Sequence, residues 1–254
     1  MSLDLNLTQT AVSLKREGLL LPRQQTLPWS LLQQIAEDES GCYLVDEAGA
    51  HKIQRYSETF NRAYTLYPTQ AAPTMLISGL PMHRIKGTDP WRDTLQKISA
   101  ARPAGRMLDT AMGLGYTAIE AARRADEVTT IELDPAVVEV CRYNPWSQPL
   151  FDNPKITRRL GDAWDVVEQM PDATFNGIIH DPPTFSLAGH LYSQEFYGEL
   201  YRVLTGRGRL FHYIGDLNSR SGAGVARGVR QRLAAAGFTR VVDRPRAFGV
   251  VAFK

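Results

Sequence analysis

The sequence predicts an α/β protein: a Rossmann-like, seven-stranded, mostly parallel sheet with one antiparallel strand, preceded by a small α+β N-terminal module. Three observations carry that prediction. From Gly105 onward apolar runs alternate with helical stretches at the spacing of βαβ units. A glycine turn at Gly113 and Gly115 follows the first run. Four runs then end in acid, at Asp109, Glu132, Asp162 and Asp181. That is the carboxyl edge, where open parallel sheets bind their ligands.

Residues 1–100 are expected to form the small module, and residues 101–254 the sheet domain. In the module, Pro28-Trp29-Ser30 opens a short helix through Leu31, Leu32 and Ile35, ending in the acidic run from Glu37 to Glu39. Cys42 to Val45 and Lys52 to Tyr56 alternate like strands around Asp46-Glu47-Ala48-Gly49, a hairpin signal. Thr74 to Ser78 and Met82 to Ile85 read as another strand pair, and Trp91 to Ala100 as an amphipathic helix. In the larger domain, strands are expected near 106–110, 128–132, 156–160, 176–180 and 208–213. Helices fall near 116–125, 135–143, 163–170, 193–204 and 221–236. Two last strands, near 238–242 and 247–253, meet at Arg244-Pro245-Arg246 and supply the antiparallel strand.

Composition narrows the function classes. The chain has 254 residues, 43% hydrophobic and 22% charged, with a net charge of +2, ordinary for a globular protein. No apolar run approaches the ~20 residues that span a bilayer, so no membrane role is expected. The start, Met-Ser-Leu-Asp-Leu-Asn, lacks the basic and apolar regions of a signal peptide. Cys42 and Cys141 lie far apart without metal-type spacing. These features predict a cytoplasmic protein with reduced cysteines and no metal. Nothing in the sequence sets an oligomeric state. From residue 201 on, eleven Lys or Arg face only Asp216 and Asp243. Such a basic end fits either phosphate contacts or a solvated helix face.

The acids discriminate between cofactors. A nicotinamide dinucleotide needs Gly-x-Gly-x-x-Gly for its pyrophosphate and an acid about 20 residues on. Gly113, Gly115 and Glu132 fit in part, but Ala118 stands where the third glycine belongs, and Asp162 has no role there. S-adenosylmethionine needs a turn for its methionyl group, a carboxylate for the ribose hydroxyls and an acceptor for the adenine amine. Asp109, Glu132 and Asp162 supply that pattern.

In Leu108-Asp109 through Gly115, Ile131-Glu132-Leu133-Asp134-Pro135, Gly161-Asp162-Ala163 and Asp181-Pro182-Pro183, residues 105–254 resemble the class I S-adenosylmethionine-dependent methyltransferases. The resemblance implies S-adenosyl-L-methionine as cofactor. Asp109, Thr110, Ala111, Gly113 and Gly115 would border the methionyl end. Glu132, with Leu133 beside it, would take the ribose, and Asp162 with Ala163 the adenine. Ala111 departs from the family, which has a glycine there. His180-Asp181-Pro182-Pro183-Thr184-Phe185 is similar to the (Asn or Asp)-Pro-Pro-aromatic motif of amino-methyltransferases. The carboxylate of Asp181 and a neighbouring carbonyl would hold an exocyclic amine, with Pro182 and Pro183 fixing the backbone. Thr184 replaces the aromatic residue, a role Phe185 could assume.

With the leading Met82-His83-Arg84, the segment resembles predicted archaeal-type methyltransferases. That implies N-methylation of a nucleobase in RNA, with cytidine in ribosomal RNA favoured and RNA as partner. His83, Arg84 and Lys86 would then reach over the cofactor edge or be a polar strand end. His180 is expected to be a satisfied core histidine. Tyr116 and Trp164 are expected to pack near the cofactor. Three other readings stand beside this one: methylation of a small molecule or protein, a non-catalytic RNA-binding scaffold, and an aminopropyltransferase, which uses decarboxylated S-adenosylmethionine to build polyamines. Against the last stand the absence of that family's Gly-Gly-Gly-Asp-Gly-Gly turn and the positive C-terminal region, which suits a polycationic amine poorly.

Overall fold

The computed structural model describes residues 1–22, 25–217 and 219–254, leaving aside the side chains of residues 186, 220 and 221. The chain forms two compact units, and the division is not a single cut. Residues 136–148 group with residues 1–91, while residues 92–135 and 149–254 form the other unit.

The second unit is built on seven strands: β1 (Arg106–Asp109), β2 (Glu127–Glu132), β3 (Ile156–Leu160), β4 (Phe175–His180), β5 (Leu204–Tyr213), β6 (Arg240–Arg244) and β7 (Gly249–Phe253). Their order is β3-β2-β1-β4-β5-β7-β6. β1 to β5 pair in parallel, and β7 runs antiparallel to both β5 and β6. The expected sheet class is therefore the observed one. The central strands are apolar and buried on both faces, as parallel strands under helices must be. The edge strand β3 stays exposed and carries Arg158 and Arg159, charges that discourage pairing with another sheet. Leu108, Ile131, Phe175, Ile178, Leu210 and Val250 form the core with Phe196, Tyr197, Leu200 and Val203 of the helix Gln194–Val203. The strand order reverses between β1 and β4, whose register sets Asp109 opposite Ile179. This switch point brings the ends of β1 and β4 together in front of the sheet.

The leading unit holds a three-stranded antiparallel sheet (Ser13–Leu14, Gly18–Leu20, Thr26–Pro28), the helix Trp29–Glu37, the hairpin Tyr43–Asp46 with Gly49–Lys52, and a four-stranded antiparallel sheet. The last comprises Gln54–Ser57, Arg62–Tyr67, Thr74–Ile77 and Leu80–Pro81. The strand expected at Met82 to Ile85 is not there. Ser78 and Gly79 both take positive φ, 47° and 87°, and make a two-residue turn. Pairing therefore begins at Leu80 and ends as the Met82 amide bonds to Met75 O. His83 turns back instead: its ring Nδ1 lies 3.0 Å from the Thr74 hydroxyl. Among the described residues, no helix is long and apolar enough to cross a membrane.

Candidate active site

The first wall of the site is the end of β1. Asp109 is fully buried, and its Oδ2 accepts hydrogen bonds from the hydroxyls of Thr130 (2.9 Å) and Thr117 (3.2 Å). Burial pushes its carboxyl up to about 7 despite those hydroxyls, and the charge of Asp181 adds to the rise. Thr110 leaves β1 with its amide on Ile179 O, and its hydroxyl meets His180 Nδ1 at 2.7 Å. After Ala111 the backbone turns through Gly113 (φ 52°) and Gly115 (φ 78°), both left-handed. Gly115 begins the helix Tyr116–Ala122, and a Cβ there would stand 2.2 Å from the Leu150 side chain.

Glu132, at the end of β2, faces this turn. Its Oε2 accepts the Gly113 amide at 3.0 Å and its Oε1 the Asp134 amide at 3.1 Å. Each oxygen keeps a second lone pair, so the carboxylate can still accept a pair of hydroxyls. The side chain is only partly accessible. The protein around it pushes its carboxyl up to about 7, outweighing the pull of the amides. Leu133 is exposed beside it. Asp162 caps the helix Ala163–Glu168 through the Trp164 amide (2.8 Å), and its Oδ2 lies 3.2 Å from His190 Nε2. Trp164 stacks on Phe196 at 5.5 Å against the core cluster, and Tyr116 is buried.

The end of β4 is organised differently. His180 is fully buried, with Nε2 2.9 Å from Leu191 O, and burial lowers its pKa to about 3. It is a neutral core histidine: Nε2–H donates to Leu191, and Nδ1 accepts from Thr110. Asp181 next to it is bound by a residue the sequence reading did not single out. Lys97 Nζ lies 2.6 Å from Asp181 Oδ2 and 2.9 Å from Asp93 Oδ2, over the Tyr213 ring at 4.4 Å from its centroid. The side chains of Asp93 and Lys97 are 0% and 4% exposed, and Asp181 19%. Burial raises the Asp181 carboxyl against the pull of Lys97, and the two carboxylates overcome burial to hold Lys97 firmly protonated. A signal for this was present. Asp93 and Lys97 sit four apart within the buried stripe of the helix Pro90–Ala101, beside Thr94, Ile98 and Ala101.

Beyond Asp181, Pro182 is buried and Pro183 O accepts the Tyr192 hydroxyl at 3.0 Å. Thr184 and Phe185 are exposed, and the Phe185 ring meets Tyr192 edge-on at 5.6 Å. The basic C-terminal region is partly spent internally. Arg230 forms a forked pair with Asp243, and Arg232 Nε donates to Tyr192 O at 2.6 Å.

Comparison with known proteins bears on what this edge holds. The uncharacterized protein MJ1233 of Methanocaldococcus jannaschii is 43% identical over 265 residues, covering all of this chain and 88% of that one. This chain belongs to the MJ1233 family. Within it, the profile of the Spermine/spermidine synthase domain matches residues 108–216, a stretch that contains Asp109, Glu132, Asp162 and Asp181. The polyamine aminopropyltransferase 2 of Streptomyces coelicolor is 31% identical over 54% of this chain and 26% of its own length. That of Sulfolobus acidocaldarius is 31% identical over 39% and 34%. The chain thus spans about a quarter to a third of those enzymes. Two solved spermidine synthases share the fold: one in complex with the transition-state analogue AdoDATO (TM-score 0.64, 18% identity, 79% of this chain and 71% of that one) and one from Thermotoga maritima (0.62, 16%, 87% and 83%).

These findings correct three expectations. N-methylation of a nucleobase in RNA, and ribosomal RNA processing with it, give way to the aminopropyltransferase alternative, because the matched domain is that of spermine/spermidine synthases and the relatives matched over part of the chain are polyamine aminopropyltransferases. S-adenosyl-L-methionine as methyl donor falls with that reading. The class of transferase fold stands, while the finer resemblance to His-Asp-Pro-Pro methyltransferases is not shown. The missing glycine-rich turn proved a poor counter-argument, since the match begins at Leu108 and runs through Ala111, Gly113 and Gly115.

Proposed function

We propose that this chain transfers an aminopropyl group from decarboxylated S-adenosylmethionine to an amine. The observation that carries the reading is the synthase-domain match over 108–216, spanning the acidic ends of four strands in front of one sheet edge. Decarboxylation leaves the donor with a sulfonium and an ammonium and no compensating carboxylate, so an acidic edge attracts it. Asp109 and the Gly113–Gly115 turn would border its aliphatic end. Glu132, which retains open lone pairs, would take the ribose hydroxyls with Leu133 alongside, and Asp162 with Ala163 the adenine.

The donor supplies an electrophilic propyl carbon, whose bond to sulfur breaks toward sulfur as the amine nitrogen bonds to that carbon. The protein's part is positioning and proton transfer. Lys97 holds Oδ2 of Asp181, which leaves Oδ1 to accept an amine N–H and then the proton that the nitrogen sheds. Burial raises the proton affinity of Asp181, as such a base requires. Pro182 and Pro183 keep the backbone beside it rigid. Thr184 and Phe185 belong to the exposed face of the same loop and would border the acceptor. A cytoplasmic setting accords with Cys42 and Cys141 being free and buried.

The test is incubation with decarboxylated S-adenosylmethionine and a panel of primary amines, followed by mass spectrometry. Release of methylthioadenosine together with an aminopropylated amine is expected. Methyl transfer from S-adenosylmethionine, with no reaction of the decarboxylated form, would overturn the proposal.

A further inference from the structure

We infer that Lys97 is a positioning residue for this site: its ammonium keeps Asp181 ionised inside the protein, ready to take the acceptor's proton near neutral pH. The inference rests on the aminopropyl-transfer reading and accounts for the base that reading needs. A buried carboxyl ordinarily holds its proton, because the charged form loses its hydration. Such an acid can donate a hydrogen bond but cannot remove a proton from an amine. Asp181 escapes that state through contact. Its Oδ2 lies 2.6 Å from Lys97 Nζ, and the lysine side chain is 4% exposed. The pair is thus shielded from the water that weakens surface ion pairs.

The groups around Asp181 come from several elements. The helix Pro90–Ala101 supplies Lys97 and Asp93, the latter fully buried and 2.9 Å from the same Nζ. Burial pushes the Asp181 proton affinity up most, Lys97 pulls it down by charge and by hydrogen bond, and Asp93 pushes it up again. β1 supplies Asp109, and the turn Gly189–Tyr192 supplies Tyr192. Burial first, and the Asp181 charge in addition, make both hold their protons more tightly. On β4 and β5, burial keeps His180 and His212 neutral, and the Tyr213 ring lies against Lys97. Asp216, past the end of β5, is exposed, where water and salt screen its charge. Lys97 is the cation that touches Asp181, and it stands between Asp181 and Asp93.

The test titrates Asp181 directly, by carbon-13 carboxyl NMR of protein labelled at aspartate, with Asp181→Asn to assign the resonance. Lys97→Met removes the charge at similar volume. It should raise the Asp181 midpoint by about 1–3 pH units, the usual effect of losing an opposite charge within ~4–6 Å. Asp93→Asn should move the midpoint the other way, because the Lys97 charge then falls to Asp181 alone. Lys97→Arg, which keeps the charge, should leave it near that of wild type. The acid limb of the kcat/KM profile for aminopropyl transfer should follow. At the wild-type midpoint, Lys97→Met should lose about fivefold or more and regain it at higher pH. A merely structural lesion would lower the rate by one factor at every pH and move no midpoint.

A midpoint unmoved in folded Lys97→Met, or raised in folded Asp93→Asn, overturns the inference. So does a midpoint that moves while the rate profile stays where wild type has it, because Asp181 ionisation would then not govern transfer. Midpoints that move as expected in a protein that transfers no aminopropyl group to any amine count against the reaction and leave the hold of Lys97 on Asp181 standing.

Discussion

The two ends of the sheet edge hold their acids by different means. At the β2 end, Glu132 is held by main-chain amides of Gly113 and Asp134, both near it along the chain or across the adjacent strand. At the β4 end, Asp181 is held by a buried ammonium that arrives from 84 residues away. An amide-held carboxyl keeps open lone pairs, so it can accept from a neutral pair of hydroxyls. A carboxylate partly neutralised by a lysine is tuned in charge as well as in position. The edge thus holds one acid by local main-chain amides and the other by a distant buried charge.

The comparison breaks most visibly at Asp181. Asp181→Asn keeps the volume but cannot take a proton from the acceptor. Aminopropyl transfer should fall by about 10²–10⁴-fold, while methylthioadenosine affinity stays within about twofold; a matching loss of affinity would erase the division between the two ends. Next in size is Glu132→Ala, which should weaken methylthioadenosine binding by roughly 1.5–3 kcal/mol through loss of charge-assisted hydrogen bonds. Calorimetry measures this directly.

Gly115→Ala places a methyl group against Leu150 in a left-handed conformation. It should cost about 1–2 kcal/mol of stability, and the double variant with Leu150→Ala should recover none of the part due to backbone strain. Denaturant melts separate the two contributions. The smallest effect is that of pH. Burial raises the Glu132 carboxyl to about 7, so the free protein retains a proton there that binding through the ionised form must expel. Affinity for methylthioadenosine should therefore climb by up to about tenfold per pH unit as pH rises toward 7, and level off above it. A flat profile from pH 5 to 8 would show that Glu132 does not take the ribose as a carboxylate.

The sequence made the amide-held end legible and at the other end showed Asp181 but not the lysine that holds it, for one reason. Glycine turns, strand ends and helix caps are local, so Asp109, Gly113, Gly115, Glu132 and Asp162 could be placed from their neighbours alone. Lys97 could not, because Asp181 lies 84 residues away, just past the end of β4, and a lysine in a helix ordinarily reads as a solvated face. Its position in the buried stripe with Asp93 was the available clue. The acceptor was misjudged because Asp181-Pro182-Pro183 was weighed as a nucleobase motif. The basic C-terminal region was also counted as a field hostile to amines, although Arg230 and Arg232 are engaged by Asp243 and Tyr192 O. In the leading unit, the strand expected at Met82 was displaced by a turn whose tightness depended on Ser78, a residue with no strong preference for positive φ.

One feature of the β4 end reaches beyond chemistry. The segment from Asp181 to Tyr192 is stitched across its base twice, by His180 to Leu191 O and by the Tyr192 hydroxyl to Pro183 O. Chain entropy for that loop is surrendered during folding, when the core around Phe196 and Tyr197 closes, and not when a ligand arrives. Phe185 and Leu187 are thus displayed, exposed, on a helical turn, Phe185–Ala188, that runs into the 3-10 turn Gly189–Tyr192. Whatever apolar surface they meet is engaged at a smaller ordering cost than a slack loop of the same length would incur.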